Sequence, residues 1–394
     1  MGNRSKKTDK TIIEDCGSME ERLFWLGFSV FPGIGPRRLQ KLLAHFGNAK
    51  EAWKASRSDL RNVGLGESLA HAFERFKDGF SLAEYQKKLK ELSVTFFVLT
   101  DPKYPKLLRS IQKPPFVLYI KGELVSDVPA VGVVGTRKIT EYGREVTRFF
   151  TKELVLNGVV IISGLALGVD AMAHETALVE RGKTIAVLGC GVDCCYPREN
   201  QRLYERIIQS GGAVVSEVPL GLSPSRGLFP ARNRIIAGLS DAVLVTEGAE
   251  DSGSLITAEH AFKEKRPVFA VPGPITSQLS KGPYQLIKKG ARLATSAEEI
   301  LEELKIQNAN RKTTSQNSKR KEIEGETREE EAILRILDHE ALSFDQIVRI
   351  TKLTSSVIGA TLSLLEIKGV VRRSEDGMFS TQEGLTHSTT SPNV

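Results

Sequence analysis

Val159-Val160-Ile161-Ile162-Ser163-Gly164-Leu165-Ala166-Leu167-Gly168-Val169-Asp170-Ala171-Met172-Ala173-His174 decides how this chain is read. It opens on four consecutive β-branched residues with no polar interruption, the mark of a strand buried on both faces of a parallel sheet. A short loop with serine and glycine follows, and from Asp170 to Arg181 the spacing is helical. The unit recurs. Ala130–Val134, Thr184–Leu188, Ala213–Val215, Ala242–Val245 and Val268–Val271 are further candidate strands, with Tyr142–Leu156 and Ser254–Lys265 as helices between them. Repeated strand-helix units predict an α/β fold with a Rossmann-like doubly wound sheet as an extended central domain, residues 93–304.

Ligands of such a sheet bind beyond the carboxyl ends of its strands. The residues found there are Gly135-Thr136-Arg137, Ser163-Gly164, Gly189-Cys190-Gly191, Ser216-Glu217 and the run on to Phe229-Pro230-Ala231-Arg232-Asn233-Arg234, then Glu247-Gly248 and Ser252–Thr257, then Pro272-Gly273. Small residues let backbone N–H groups approach a phosphate, and helix N-termini favour its charge. Short strand-helix loops are glycine-rich anyway, so the cations are more telling. Arg137 follows the first strand, and Arg226, Arg232 and Arg234 flank Phe229. Cations hold phosphates and an aromatic ring stacks on an unstacked base, a combination that suits a single strand better than a duplex. The alternative is structural: Phe229 in the core, and the arginines paired with Glu217 or Glu247.

Small-ligand fingerprints fail. No Gly-x4-Gly-Lys-Ser/Thr loop is present, and Gly189-Cys190-Gly191 continues into Val192-Asp193-Cys194 rather than completing a dinucleotide-binding turn. ATP hydrolysis and nicotinamide redox chemistry are disfavoured, no catalytic residues are assigned, and His174 reads as structural. No cofactor and no metal are expected, because Cys16, Cys190, Cys194 and Cys195 have no ligand-like histidine pair beside them. They read as buried thiols of a protein from a reducing compartment. The N-terminus lacks an apolar signal region and no apolar run is long enough to span a bilayer, so a cytoplasmic protein without membrane contact is expected. A net charge of +7 and pI near 9.1 lean towards polyanionic partners without naming one.

The flanks differ. Residues 20–92 carry apolar residues at helical spacing, with Pro32-Gly33-Ile34-Gly35-Pro36 between the first two helices. That turn resembles a helix-hairpin-helix motif, in which Gly33 and Gly35 would offer backbone N–H groups for auxiliary DNA binding; a plain tight turn is the competing reading. Residues 305–328 are polar and predicted to be a flexible linker. Residues 329–383 predict three helices and a hairpin around Asp376-Gly377, a winged helix. Residues 1–19 and 384–394 are predicted to be disordered.

The ordered blocks between about residues 94 and 304 resemble the DNA processing protein DprA (Smf) family. They are Val133–Arg137, Ser163–His174, Ala186–Gly191, Tyr196–Asn200, Phe229–Ser240 and Ser252–Ala258, with Tyr104-Pro105 and Pro114–Tyr119 upstream. The resemblance implies a homodimer that binds and protects single-stranded DNA and loads the RecA recombinase onto it, in natural transformation and homologous recombination, without catalysis. It places Arg137, at the Gly135-Thr136-Arg137 loop, on a phosphate and Phe229 on a base, with Arg226 where the family has a basic residue. Ser163, Gly164, Asn233, Ser254 and Thr257 would line the pocket.

Two rivals stand beside this. Gly253–Thr257 also resembles a phosphoribohydrolase family that cleaves cytokinin nucleotides, but Thr257 occupies the position where that family needs a glutamate, and it cannot serve as a carboxylate base. A winged-helix regulator would read a duplex groove with its third helix. Near Ser355–Lys368 that helix offers only Lys368 as a cation.

Overall fold

The structure, a computed structural model, describes residues 19–225, 227–306, 327–337, 342–374 and 377–381. Arg226, Cys16, Asp376, the expected disordered tail and all but Met19 of the expected disordered start lie outside these residues. So does most of the expected linker, although Ile306 and Thr327 are described and a helix begins at Arg328. The chain divides into two compact units, Met1–Gln307 and Asn308–Val394.

The sheet of the first unit is built from β1 (Val94–Val98), β2 (Val117–Gly122), β3 (Ala130–Val134), β4 (Val160–Ser163), β5 (Thr184–Val187), β6 (Ala213–Ser216), β7 (Ala242–Val245), β8 (Val268–Ala270) and β9 (Arg292–Leu293). Their order is β1-β2-β6-β5-β4-β3-β7-β8-β9. β3 sits between β4 and β7, with Val131 opposite Ile161 on one side and Ala242 on the other. Among the parallel strands, chain order runs outward from it both ways, β4 to β6 on one side and β7 to β9 on the other, which makes β3 and β7 the switch point of a doubly wound sheet. Every residue of β3 to β8 is buried. Alternate residues feed two cores: Val131, Val133 and Ile161 one, and Ala130, Val134 and Ile162 the other.

β1, β2 and β9 escape the strand-helix pattern. β1 pairs antiparallel with β2, and β2 antiparallel with β6, so no crossover helix announces them. β9 is two exposed residues with no apolar run.

Among the described residues, six helices precede the sheet: Met19–Val30, Pro36–Phe46, Ala49–Lys54, Arg57–Asn62, Glu67–Gly79 and Leu82–Glu91. Between the first two, Gly33 takes φ +116°, and the Gly35 carbonyl accepts from Arg38 N and Leu39 N at 3.0 Å. Phe28 stacks on Phe73 with centroids 5.3 Å apart, and Trp53 meets both edge-on. These helices share a core with the sheet, in which Trp25, Leu26 and Phe28 join Val94, Tyr119, Val214 and Leu220. Polar contacts reinforce it. Ser29 Oγ lies 2.6 Å from Tyr119 Oη, Leu220 N donates to Tyr85 Oη at 3.0 Å, and Arg22 pairs with Asp101 at 3.0 Å.

The second unit has helices Arg328–Leu337, Phe344–Thr351 and Ser355–Ile367, and a sheet ordered β10 (Leu342–Ser343), β12 (Met378–Thr381), β11 (Val371–Arg373). Its core comprises Ile333, Leu337, Ile347, Ile358, Leu362, Leu365, Val371 and Phe379 among others. Ser343 and Gln346 form a capping box that starts the second helix. This is a winged helix, with β10 the strand that the sequence pattern did not reveal. Lys368, the cation expected at the third helix, donates to buried Glu330 at 2.9 Å. No single helix among the described residues is long and apolar enough to cross a membrane.

Candidate nucleic-acid interface

The loops after β3, β4, β5 and β7 meet at the carboxyl edge of the sheet. Thr136 N donates to Glu247 O at 2.7 Å, tying the β3 loop to the β7 loop across the switch point. Val169 N donates to Thr136 O at 3.1 Å, which brings in the helix after β4. Gly135 is half-buried and Thr136 buried, while Arg137 projects into solvent.

Phe229 opens the Leu228–Leu239 helix and is only half-buried. It lies over Gly189, where an added Cβ would come within 3.2 Å of its ring, so the β5 loop forms its floor. The Arg137 guanidinium stands 5.8 Å from its centroid, and the Tyr196 ring 5.5 Å from it at a tilt of 42°. Arg137 and Phe229 thus meet at the edge that their positions after strand ends predict. Tyr196 belongs to a family motif but has no role legible from it, an aromatic beside Pro197 after a strand end being the one available signal.

One turn into the helix, Arg232 is buried. Its guanidinium donates to Gly164 O at 2.7 Å and to Val187 O, and its Nε to Asn233 Oδ1 at 3.2 Å. It lies flat on Gly164, where a Cβ would stand 2.3 Å from Nη1. Gly164 N in turn donates to Asp170 Oδ2 at 3.0 Å. Burial pushes the Asp170 carboxyl up, against the pull of Arg232 and of the N–H donors. Burial lowers the Arg232 pKa, with the positive charge of Arg137 adding to the same direction. Arg234 is bound to Glu217, with both side chains largely covered. Arg234 is therefore paired with Glu217, whereas Arg232 uses backbone carbonyls rather than Glu247. Arg226 lies outside the described residues.

The remaining expected pocket residues are buried. Ser163 Oγ donates to Val133 O at 2.6 Å. Asn233 Nδ2 donates to Gly253 O at 3.1 Å, linking the helix of Phe229 to the start of the Gly253–Lys263 helix. Ser254 Oγ is 2.8 Å from Ser252 Oγ. Thr257 Oγ1 is fully covered and has no hydrogen-bond partner among the described residues. Glu247 accepts from Thr140 Oγ1 at 2.6 Å and Thr140 N at 3.1 Å, at the start of the Glu141–Leu156 helix. His174 Nδ1 is 2.7 Å from Thr184 Oγ1, which donates to Ile161 O, so His174 donates here and leaves Nε2 bare. Burial, and secondarily Arg232, holds its pKa down at about 3.

Of the cysteines expected to be buried, Cys190 is buried, while Cys194 and Cys195 are free thiols only half-buried in the loop. Burial pushes the Cys190 thiol up to about 12 and Cys195 up to about 11, and Cys190 Sγ donates to Cys194 O at 3.2 Å. No group of three or more metal-ligating side chains occurs among the described residues. A cavity of about 550 Å³ opens elsewhere, lined by Pro105, Val128, Pro129, Ala130, Asp241 and Pro267 among others. Ala130 begins β3 and Asp241 and Pro267 precede β7 and β8, so this cavity lies at the amino end of the strands, away from the site.

Residues 95–305 match the family model described as DNA recombination-mediator protein A. This chain belongs to that family. Residues 317–377 match a second model, the DprA winged helix domain. The protein Smf of Synechocystis is 37% identical over 391 residues, covering 91% of this chain and 98% of that protein. The DNA processing protein DprA of Bacillus subtilis is 43% identical over 221 residues, 56% of this chain and 74% of its own. Among solved structures, DNA processing protein A of Streptococcus pneumoniae aligns with a TM-score of 0.62 at 36% identity, covering 73% of this chain and 98% of that one. In this DprA-family chain, three carboxylates at the edge have protein partners: Asp170 has the Gly164 N–H, Glu217 has Arg234, and Glu247 has Thr140.

Proposed function

We propose that this protein binds and protects single-stranded DNA at the carboxyl edge of its sheet and loads the RecA recombinase onto it, as a homodimer in the cytoplasm, in natural transformation and homologous recombination. The observation that carries the reading is the exposed Arg137 guanidinium over the half-buried Phe229 ring. A cation and a π-face side by side fit a phosphate and its unstacked base, and nothing in that pair depends on base sequence. Arg137 neutralises phosphate, Phe229 takes a base, and Gly135 and Thr136 shape the approach. Arg226 adds a second cation. Arg232 acts from below, fixing the Gly164 loop and lending its field to the edge, while Ser163, Asn233, Ser254 and Thr257 hold the loops together. Arg234 keeps Glu217 neutralised. Recombinase loading and dimerisation rest on the family relationship.

No catalysis is assigned. A base-releasing hydrolase needs a carboxylate free to act. At the position where the phosphoribohydrolase family carries its glutamate, Thr257 supplies none.

Fluorescence anisotropy with a labelled single-stranded oligonucleotide tests the site. Wild type should bind tightly and resist unlabelled duplex, with affinity falling with salt at a slope of roughly −0.7 per neutralised phosphate. Arg137→Ala should weaken binding about tenfold and flatten that slope. Binding that duplex displaces equally and that ignores Arg137 would sink the assignment.

A further inference from the structure

The β5 loop carries a second aromatic ring beside the Arg137–Phe229 pair. Tyr196 is 43% exposed, yet its loop is pinned at every turn. Gly191 N donates to Leu222 O at 3.1 Å, Cys194 N to Gly191 O at 3.0 Å, Tyr204 Oη to Val192 O at 2.5 Å, and Asn200 Nδ2 to Leu165 O at 2.8 Å. A large ring standing in water on a pinned loop forgoes the burial that aromatic side chains ordinarily gain. Its one ring neighbour among the described contacts is Phe229, 5.5 Å away and tilted by 42°. Phe229 is also the ring over which Arg137 stands.

That tilt has a chemical consequence. No single flat base can stack on two rings whose planes differ by 42°. Two neighbouring bases that took one ring each would have to turn away from one another, so the strand would have to bend and unstack between them. A duplex cannot do this without losing its pairing, and a run of purines must first give up its own stacking.

We propose that Tyr196 is a second base platform, taking the nucleotide next to the one on Phe229, so that the site selects a single strand by its ability to bend and unstack at that step. Flexible pyrimidine tracts are then preferred over oligo(dA). The proposal rests on the carboxyl edge being the single-strand site.

Anisotropy on the full chain with oligo(dT) and oligo(dA) separates the two ideas. Failure of the wild type to bind either oligonucleotide would remove the edge reading itself. Given binding, Tyr196→Ala should weaken oligo(dT) about tenfold and narrow its advantage over oligo(dA), while Arg137→Ala should weaken both alike. Tyr196→Trp should bind within about twofold of wild type, since the ring rather than the hydroxyl acts. Its new indole fluorescence should be quenched on saturation with oligo(dT), whereas the Trp25 and Trp53 signal of the wild type should not change. Wild-type affinity in Tyr196→Ala, or an unquenched indole in Tyr196→Trp at saturation, would overturn the second platform while leaving the Phe229 site standing.

Discussion

His174 shows what a single buried residue contributes. Its ring is fully covered, donates through Nδ1 to Thr184 and presents a bare Nε2, so the folded protein keeps it neutral down to about pH 3. In the unfolded chain it takes up a proton below about pH 6.5. The folded pKa is depressed, so stability from this group is complete above pH 6.5 and is lost as pH falls from there towards 3. Between pH 7.5 and 5.0 this amounts to about 2 kcal/mol. Raised carboxyls such as Asp170 and Glu217 act in the opposite sense, so the comparison must be made against a variant. His174→Gln should lose about 2 kcal/mol less than wild type between those two pH values in urea unfolding. Equal losses would show that the ring titrates in the folded state. That His174 is structural was legible from its place in an apolar helix. That Arg232 lies beneath the site loops was not, because an arginine reads the same in sequence whether it faces phosphate or a carbonyl.

At the scale of elements, the start of the Glu141–Leu156 helix links fold to site. Thr140 caps it by accepting from Gly143 N at 3.0 Å, and the same hydroxyl donates to Glu247, whose backbone carbonyl receives Thr136 N. Thr140→Ala should cost about 1 kcal/mol for the lost cap, and a further 1–3 kcal/mol for a buried carboxylate oxygen left without its donor. Thr140→Ser should restore most of the loss, as read by the urea midpoint. A cost below about 0.5 kcal/mol would mean that water replaces the hydroxyl without penalty. The parallel strands were legible because burial on both faces demands unbroken apolar runs. β1 and β2 were not, since an antiparallel pair ahead of the first strand-helix unit carries no crossover helix to announce it.

For the whole molecule, the first unit is held together across the boundary between its helices and its sheet. Val94, Val117, Tyr119, Val214 and Leu220 share one core with Trp25, Leu26, Phe28, Phe73 and other residues from before position 92. Each fully buried side chain of this size contributes about 1.5–3 kcal/mol. A chain beginning at Ser93 should therefore lose its cooperative thermal transition, or melt far below the full chain in calorimetry. A melting temperature within a few degrees of the full chain would show that the helices are a dispensable attachment. The charge of +7 bears on affinity for polyanions at this scale, and says nothing of where they bind.

The sequence by itself determined the α/β class, the edge of the sheet on which the loops gather, and the family, because strand burial, loop chemistry and ordered motifs are local properties of the chain. Only the tertiary structure decided which cations remain free, that Tyr196 stands beside Phe229, and that the helices before Val94 share the core of the sheet. Those facts depend on which distant segments meet, and contact between residues far apart in the chain leaves no periodic trace in either segment.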